Sequence, residues 1–279
     1  MNDFNDLSGK VAVITGGAGA LGRAFALGLA RSGVKTAILD LDETKAVAAA
    51  LKIEQQTGTC ALGLQADVLR KDSLEAALEI LERSLGPIDF LINGAGGNGP
   101  RATTKMETAE PEGNFETDSF YGLDVDAFRQ LFDLNIIGTV LPTQVLTTGM
   151  VRRRRGVIVN ISSMNAFRPL TKIPAYSAAK CAVSNFTQWL AVHLASANIR
   201  VNAIAPGFFM TEQLRFLAYD ENGKLTPRYE KVLAHTPMKR LGEPEELAGT
   251  LLYLLSAHSK FVTGIVIPVD GGFNAYAGV

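Results

Sequence analysis

Tyr176 and Lys180 stand four residues apart in Tyr176-Ser177-Ala178-Ala179-Lys180, a spacing that puts two side chains one above the other on a helix face. An ammonium about 6 Å along the axis from a phenol favours the phenolate, and lowers a pKa of about 10 toward the range of a general acid or base near neutral pH. Ser163 lies thirteen positions before Tyr176, directly past Gly156-Val157-Ile158-Val159-Asn160-Ile161, which reads as a short buried strand. A hydroxyl at the C-terminal edge of a parallel sheet lies on the side where such sheets bind ligands. Ser162 is the neighbouring hydroxyl on the other face of that strand and the alternative to Ser163. The chemistry implied is proton transfer by a general acid or base on the ligand-binding side of the sheet.

Several elements must position these groups. Val11-Ala12-Val13-Ile14 is a continuous apolar run of the buried parallel type, and Thr15-Gly16-Gly17-Ala18-Gly19-Ala20-Leu21-Gly22 follows it. Leu21, Phe25 and Leu29 then recur at helical spacing until Gly33. A sharp turn that brings backbone and a helix N-terminus close to a pyrophosphate needs glycine, so Gly16, Gly19, Ala20, Leu21 and Gly22 are candidate cofactor contacts. The second strand, Thr36-Ala37-Ile38-Leu39, delivers Asp40 to its C-terminal end. A carboxylate there accepts hydrogen bonds from ribose hydroxyls and repels a 2′-phosphate, which predicts NAD(H) in preference to NADP(H). The alternative is that Asp40 caps the next helix.

Gln65-Ala66-Asp67-Val68 ends a third strand, where Asp67 could equally be a plain helix cap, and Ile88 to Asn93 forms a fourth, followed by Gly94-Ala95-Gly96. Residues 98–123 lack clean periodicity and make a long connection of the kind that is usually functional. Asp124 to Met150 reads as one long helix with Leu131, Leu134, Val145 and Leu146 inward and a bend at Pro142. Ile199 to Ile204 is the sixth strand, and Glu243-Pro244-Glu245-Glu246 opens the last helix. Seven strands alternating with helices predict an α/β fold, one doubly wound parallel sheet with helices on both faces, in a single domain over 1–279.

Composition narrows the function. With 47% apolar residues the chain can bury a full core, and a net charge of −1 argues against nucleic acid or an anionic membrane as partner. The run Arg152 to Arg155 reads as a solvated helix end. Cys60 and Cys181 lack metal or disulfide spacing and are expected to be buried, reduced thiols, and His193, His235 and His258 form no metal constellation. No apolar run is long enough for a membrane span, so a cytoplasmic enzyme with a small-molecule substrate is expected.

Ser163, Tyr176 and Lys180, with the glycine-rich turn, resemble the active site of the short-chain dehydrogenase/reductase family over residues 7 to 273. The resemblance implies a Rossmann-type fold and hydride transfer between a nicotinamide cofactor and a ketone or secondary alcohol. It makes Asn135 the fourth catalytic member, positioning water that links Lys180 to solvent. Tyr176 exchanges the proton, Lys180 lowers the Tyr pKa and holds the nicotinamide ribose, and Ser163 binds the reacting oxygen. It also brings Asp67 and Val68 to the adenine, Asn93 to the central sheet, and Gly94 and Ala95 to the cofactor backbone path. Pro206 and Gly207 turn the chain over the nicotinamide, with Phe209 following, and Thr211 approaches its amide or the pyrophosphate. Two positions depart from the family pattern: Ala20 stands where the middle glycine is usual, and Gly94 where a second Asn is usual.

Further stretches resemble one branch of that family, the D-mannonate oxidoreductases or fructuronate reductases: Gly94-Ala95-Gly96-Gly97-Asn98, Ser163-Met164-Asn165-Ala166, Leu170 to Tyr176, Pro206-Gly207-Phe208-Phe209 and Phe273-Asn274-Ala275-Tyr276. That likeness implies an anionic sugar acid as substrate, with Arg101, Arg168 and Lys172 as candidate carboxylate partners and Asn165 as a contact to a sugar hydroxyl. Alternatives are a gluconate or polyol dehydrogenase, a 3-oxoacyl reductase and a non-enzymatic dinucleotide sensor. Family analogy adds a substrate lid over about 207–237 and a homotetramer using the last strand and helix.

Overall fold

The computed structural model describes residues 4–278; residues 1–3 and 279 of the expected domain lie outside the described residues. Val11–Thr15 forms strand β1, and all five of its residues are buried, because helices cover both of its faces. The chain continues through α1 (Ala20–Arg31), β2 (Lys35–Asp40), α2 (Glu43–Thr57), β3 (Ala61–Gln65), α3 (Lys71–Leu85) and β4 (Phe90–Asn93). It then passes through α4 (Phe115–Asp118), α5 (Val125–Phe132), a π turn (Asp133–Ile137), α6 (Gly138–Leu146) and α7 (Thr148–Arg153). The rest is β5 (Gly156–Ile161), α8 (Pro174–Leu194), β6 (Ile199–Pro206), α9 (Glu212–Ala218), α10 (Pro227–His235), α11 (Glu246–Leu255) and β7 (Val266–Val269).

The seven strands are all parallel, in the order β3-β2-β1-β4-β5-β6-β7. The order reverses between β1 and β4, so their C-terminal ends flank the crevice where a doubly wound sheet takes its ligand. One core packs α1, α2 and α11 on the sheet through Ile14, Phe25, Leu29, Ile38 and Leu251. The other packs α3, α6 and α8 on the opposite face through Val13, Leu81, Leu91, Leu146 and Ile158.

Two expectations are corrected. The long helix over 124–150 is broken, first by the π turn around Asn135 and again at Thr147. A π turn inserts one extra residue and shifts the phase of the helix, and Leu134 is 37% exposed while Leu131, Val145 and Leu146 are buried. Cys60 and Cys181 are exposed free thiols: Cys60 precedes the edge strand β3, and Cys181 lies on the outer side of α8. The arginine run closes α7 with all four side chains exposed, as expected, and Arg155 also pairs with Asp89 at 2.6 Å while Arg153 donates to the Ile88 carbonyl at 2.5 Å.

Candidate active site

Just past the end of β5, Ser162 and Ser163 point to opposite sides by the alternation of an extended chain. The Ser162 hydroxyl donates to the Lys180 carbonyl at 3.1 Å and pairs with the Ser184 hydroxyl at 2.7 Å, which ties α8 to the sheet. Ser163 is left for the cleft, and its oxygen accepts the Asn165 backbone N–H at 3.2 Å. Pro174 opens α8 at its first turn, where the missing N–H is harmless, and Tyr176 and Lys180 follow on one face. The Lys180 ammonium lies 5.7 Å from the centroid of the Tyr176 ring and donates to the Ile161 carbonyl, the last of β5, at 2.8 Å.

Burial governs the protonation of both groups. Lys180 is 4% exposed, and desolvation lowers its pKa to about 8. Tyr176 moves the other way: burial pushes its phenol up, against a smaller downward pull from its hydrogen bond with Ser163. The sequence predicts a lowered phenol, but desolvation of Tyr176 outweighs the pull of its hydrogen bond with Ser163. Tyr176 is therefore held as the neutral acid in this arrangement, ready to donate a proton.

Asn135 is fully buried on the π turn, an interruption that recurs at functional sites. Its amide nitrogen donates to the carbonyls of Gly97 and Leu131, each at 2.9 Å, and its oxygen accepts the Gly97 N–H at 3.1 Å. A Cβ on Gly96 would stand 2.6 Å from the Asn135 oxygen and 3.3 Å from the Lys180 nitrogen, so the bare backbone there lets the two approach. The side chains of Ser163, Tyr176, Lys180 and Asn135 thus converge on one point at the C-terminal edge of β4 and β5.

The turn after β1 is built for close approach. Gly16 has φ +61°, and a Cβ on it would lie 2.8 Å from the Ala95 backbone; on Gly22 a Cβ would lie 2.6 Å from the Gly16 carbonyl oxygen. Gly19 is the N-cap of α1 and Ala20 its first helical residue, so the extra methyl of Ala20 costs no strain; Leu21 follows half-buried. Asp40 is half-buried beside this turn, accepting from Ala18 N–H at 3.1 Å and Asp42 N–H at 3.3 Å. The cap of α2 is Asp42, which leaves Asp40 uncommitted to the helix. Asp67 accepts from Leu69 N–H at 2.9 Å in a local turn and does not cap α3, whose N-cap is Arg70; Val68 packs against Gly138. The turn, its helix N-terminus and the adjacent carboxylate fit a dinucleotide with a free ribose.

The sequence reading passes over Thr15, whose buried hydroxyl accepts the N–H groups of Gly94 and Ala95 at 3.1 and 3.2 Å and so joins the two loops of the crevice. Its position at the end of β1, just before the glycines, was the available signal. Asn93 donates to Thr143 at 2.9 Å and to Asn160 at 2.8 Å, which fastens β4 to β5 and α6.

On the far side Pro206 ends β6, the Gly207 N–H reaches the Val269 carbonyl at 2.9 Å, and Phe209 is buried against Gly242. Thr211 caps α9, accepting from Leu214 N–H at 3.0 Å. Among the candidate substrate cations, Arg101 is paired with Asp124, whereas Arg168 donates its Nε–H to the Asn274 carbonyl at 2.7 Å, which ties it to the C-terminal tail. Lys172 is half-buried in the left-handed region at φ +73°, held there by its carbonyl, which accepts Thr104 N–H at 2.8 Å. Asn165 is buried beside Ser163. Among the described residues no acidic, His or Cys group could hold a metal ion, and no helix is long and apolar enough to cross a membrane.

A family model for the short-chain dehydrogenases matches residues 10–222. An uncharacterized oxidoreductase of Bacillus subtilis (strain 168) is 50% identical over 275 residues, 98% of each chain. The 5-keto-D-gluconate 5-reductase of Escherichia coli (strain K12) is 36% identical over 272 residues, again 98% of each chain. A crystal structure of a candidate D-mannonate oxidoreductase from Haemophilus influenza with bound NAD superposes with a TM-score of 0.93 at 47% identity, covering 98% of this chain and 97% of that one.

Proposed function

Because this chain belongs to the short-chain dehydrogenase family and is an NAD(P)-dependent oxidoreductase acting on CH–OH groups, we propose that its substrate is a keto sugar acid of the D-fructuronate/D-mannonate type and its cofactor NAD(H). The observation that carries the reading is the convergence of Ser163, Tyr176, Lys180 and Asn135 beside the β1 turn, in a chain 47% identical to a candidate D-mannonate oxidoreductase. A bound nicotinamide supplies the hydride for reduction and accepts it in oxidation. Ser163 holds the reacting oxygen, and Tyr176 gives it a proton as the C=O becomes CH–OH, or takes the proton in the reverse direction. Lys180 passes a replacement proton to Tyr176 and regains it from solvent through water that Asn135 positions, with the bare Gly96 backbone leaving room between the two side chains. Asp40 is the acceptor for ribose hydroxyls and repels a 2′-phosphate.

Lys172 is the cation we assign to the substrate carboxylate, since Arg101 is neutralised by Asp124 and Arg168 is tied to the Asn274 carbonyl of the C-terminal tail. Residues 208–237, with a small core of Ala218, Tyr229 and Val232, act as the lid. A homotetramer accounts for the exposed Phe261 and Ile265 near the sheet's β7 edge and the exposed Trp189 and Val192 on α8, and a monomer by light scattering would exclude it. A cytoplasmic location goes with this activity. The test is a panel of keto-uronates, keto-aldonates and neutral ketoses with NADH and NADPH, followed by loss of reduced nicotinamide. The greatest kcat/KM should fall on a keto acid with NADH, and a panel led by neutral ketoses or by NADPH contradicts the assignment.

A further inference from the structure

Asn165 lies two residues beyond Ser163 on the short turn Met164–Ala166, which Ser163 caps through its hydroxyl oxygen. The Asn165 side chain is 5% exposed, and its carboxamide oxygen is buried without a hydrogen-bond partner. The amide nitrogen makes no hydrogen bond either, and it is the end that still touches solvent. Thr36 and Asn93 carry the other buried unpaired atoms among the described residues, and both belong to the sheet. Only Asn165 stands beside the hydroxyl that would hold a reacting oxygen. An apolar residue of similar size would avoid the cost of burying an unpaired amide, so a demand other than packing is needed to explain one here.

We propose that Asn165 selects ketones bearing a hydroxyl on the carbon next to the reacting carbonyl, by hydrogen-bonding that hydroxyl while Ser163 holds the carbonyl oxygen. The inference rests on the ketone reduction proposed above and names the substrate feature that this corner of the site reads. A carbonyl and a hydroxyl on adjacent carbons are neighbours in the substrate, as Ser163 and Asn165 are neighbours on the turn. The carboxamide has a donor end and an acceptor end of nearly equal shape, and half a turn about its last bond presents either one to the cleft. A hydroxyl can therefore meet it in either sense. Ketones without that hydroxyl, such as simple 3-oxoacyl chains, leave the amide unpaired and are rejected for that reason.

The test measures kcat/KM with NADH for a 5-keto-hexonate, its 4-deoxy and 6-deoxy analogues, and a neutral ketose of the same hydroxyl pattern. It is run on the parent and on Asn165→Leu, together with thermal unfolding of both. The parent should prefer the full substrate over one deoxy analogue by about tenfold or more, the order expected when a buried polar group loses its partner. In Asn165→Leu that ratio should collapse to within about twofold of unity, the limit being set by replacement of the amide with an inert group. The melting temperature of the variant should equal or exceed that of the parent, since no protein hydrogen bond is lost. A parent indifferent to both deoxy changes overturns the proposal without recourse to any variant. So does an Asn165→Leu enzyme that keeps the parent's ratio. A parent that favours the neutral ketose over the keto acid refutes the sugar-acid reading alone; hydroxyl selection that disappears in Asn165→Leu still supports the role of Asn165.

Discussion

Replacing Lys180 with Met should stabilise the cofactor-free protein while abolishing most of its activity. Lys180 is 4% exposed, its ammonium has the Ile161 carbonyl as its hydrogen-bond acceptor, and burial brings its pKa from 10.5 to about 8. That gap is worth about 3 kcal/mol at roughly 1.4 kcal/mol per pH unit, and it measures how strongly the fold disfavours the charged form. Because the folded pKa lies below the unfolded one, the unfolded chain binds more protons between about pH 8 and 10.5, and stability rises with pH across that window. Below about pH 8 the penalty is present in full. At pH 7 the Met variant should therefore be more stable by up to about 3 kcal/mol, less roughly 1 kcal/mol for the lost hydrogen bond, and the advantage should shrink steadily toward pH 10. Urea unfolding of both proteins without cofactor, at fixed protomer concentration from pH 7 to 10, reads the difference directly. A difference that stays constant with pH, or a less stable variant throughout, refutes the reasoning. A gain would mean that the fold retains a costly buried cation for the sake of its chemistry.

Tyr176→Phe should lower turnover by about 10² or more while leaving NADH binding, followed by fluorescence, nearly unchanged, because the phenol acts chiefly in the transition state. Replacing Asp40 with Ser or Arg should shift the ratio of kcat/KM values from NADH toward NADPH, since the carboxylate beside the β1 turn no longer opposes a 2′-phosphate; a parent that already prefers NADPH contradicts the assignment. Lys172→Ala should cost about tenfold to a hundredfold in kcat/KM toward the keto acid and little toward a neutral ketose, whereas Arg101→Ala and Arg168→Ala should act through the loop and tail they fasten and affect both substrates alike.

The parts of the site legible in the sequence are those whose meaning is local. The β1 strand, its glycine turn and the following helix are contiguous, and Asp40 arrives at the end of the next strand, so pattern and spacing suffice. Tyr176 and Lys180 share one helix, and Ser163 sits at a strand end a fixed distance before them. What the sequence conceals depends on partners far along the chain. The π turn at Asn135 is stabilised by hydrogen bonds to Gly97, 38 residues away, and no periodicity near Leu134 announces the resulting change of phase. Arg101 and Arg168 look equivalent to Lys172 until Asp124 and the Asn274 carbonyl, 106 residues from Arg168, are seen to occupy them. The upward shift of the Tyr176 phenol escapes the sequence for the same reason: a charge four residues away is visible there, whereas the desolvation of both groups is not.

The central claim, hydride delivery to the ketone of a sugar acid, is tested most directly by tracing the hydrogen. The protein is given D-fructuronate with NADH carrying deuterium at C4 of the nicotinamide on one face and then on the other, and the product is examined by NMR. Direct transfer predicts D-mannonate labelled at the newly formed carbinol carbon, from one of the two labelled faces and not the other. Unlabelled product, or no reduction of the keto acid by enzyme that consumes NADH with a neutral ketose, would contradict it.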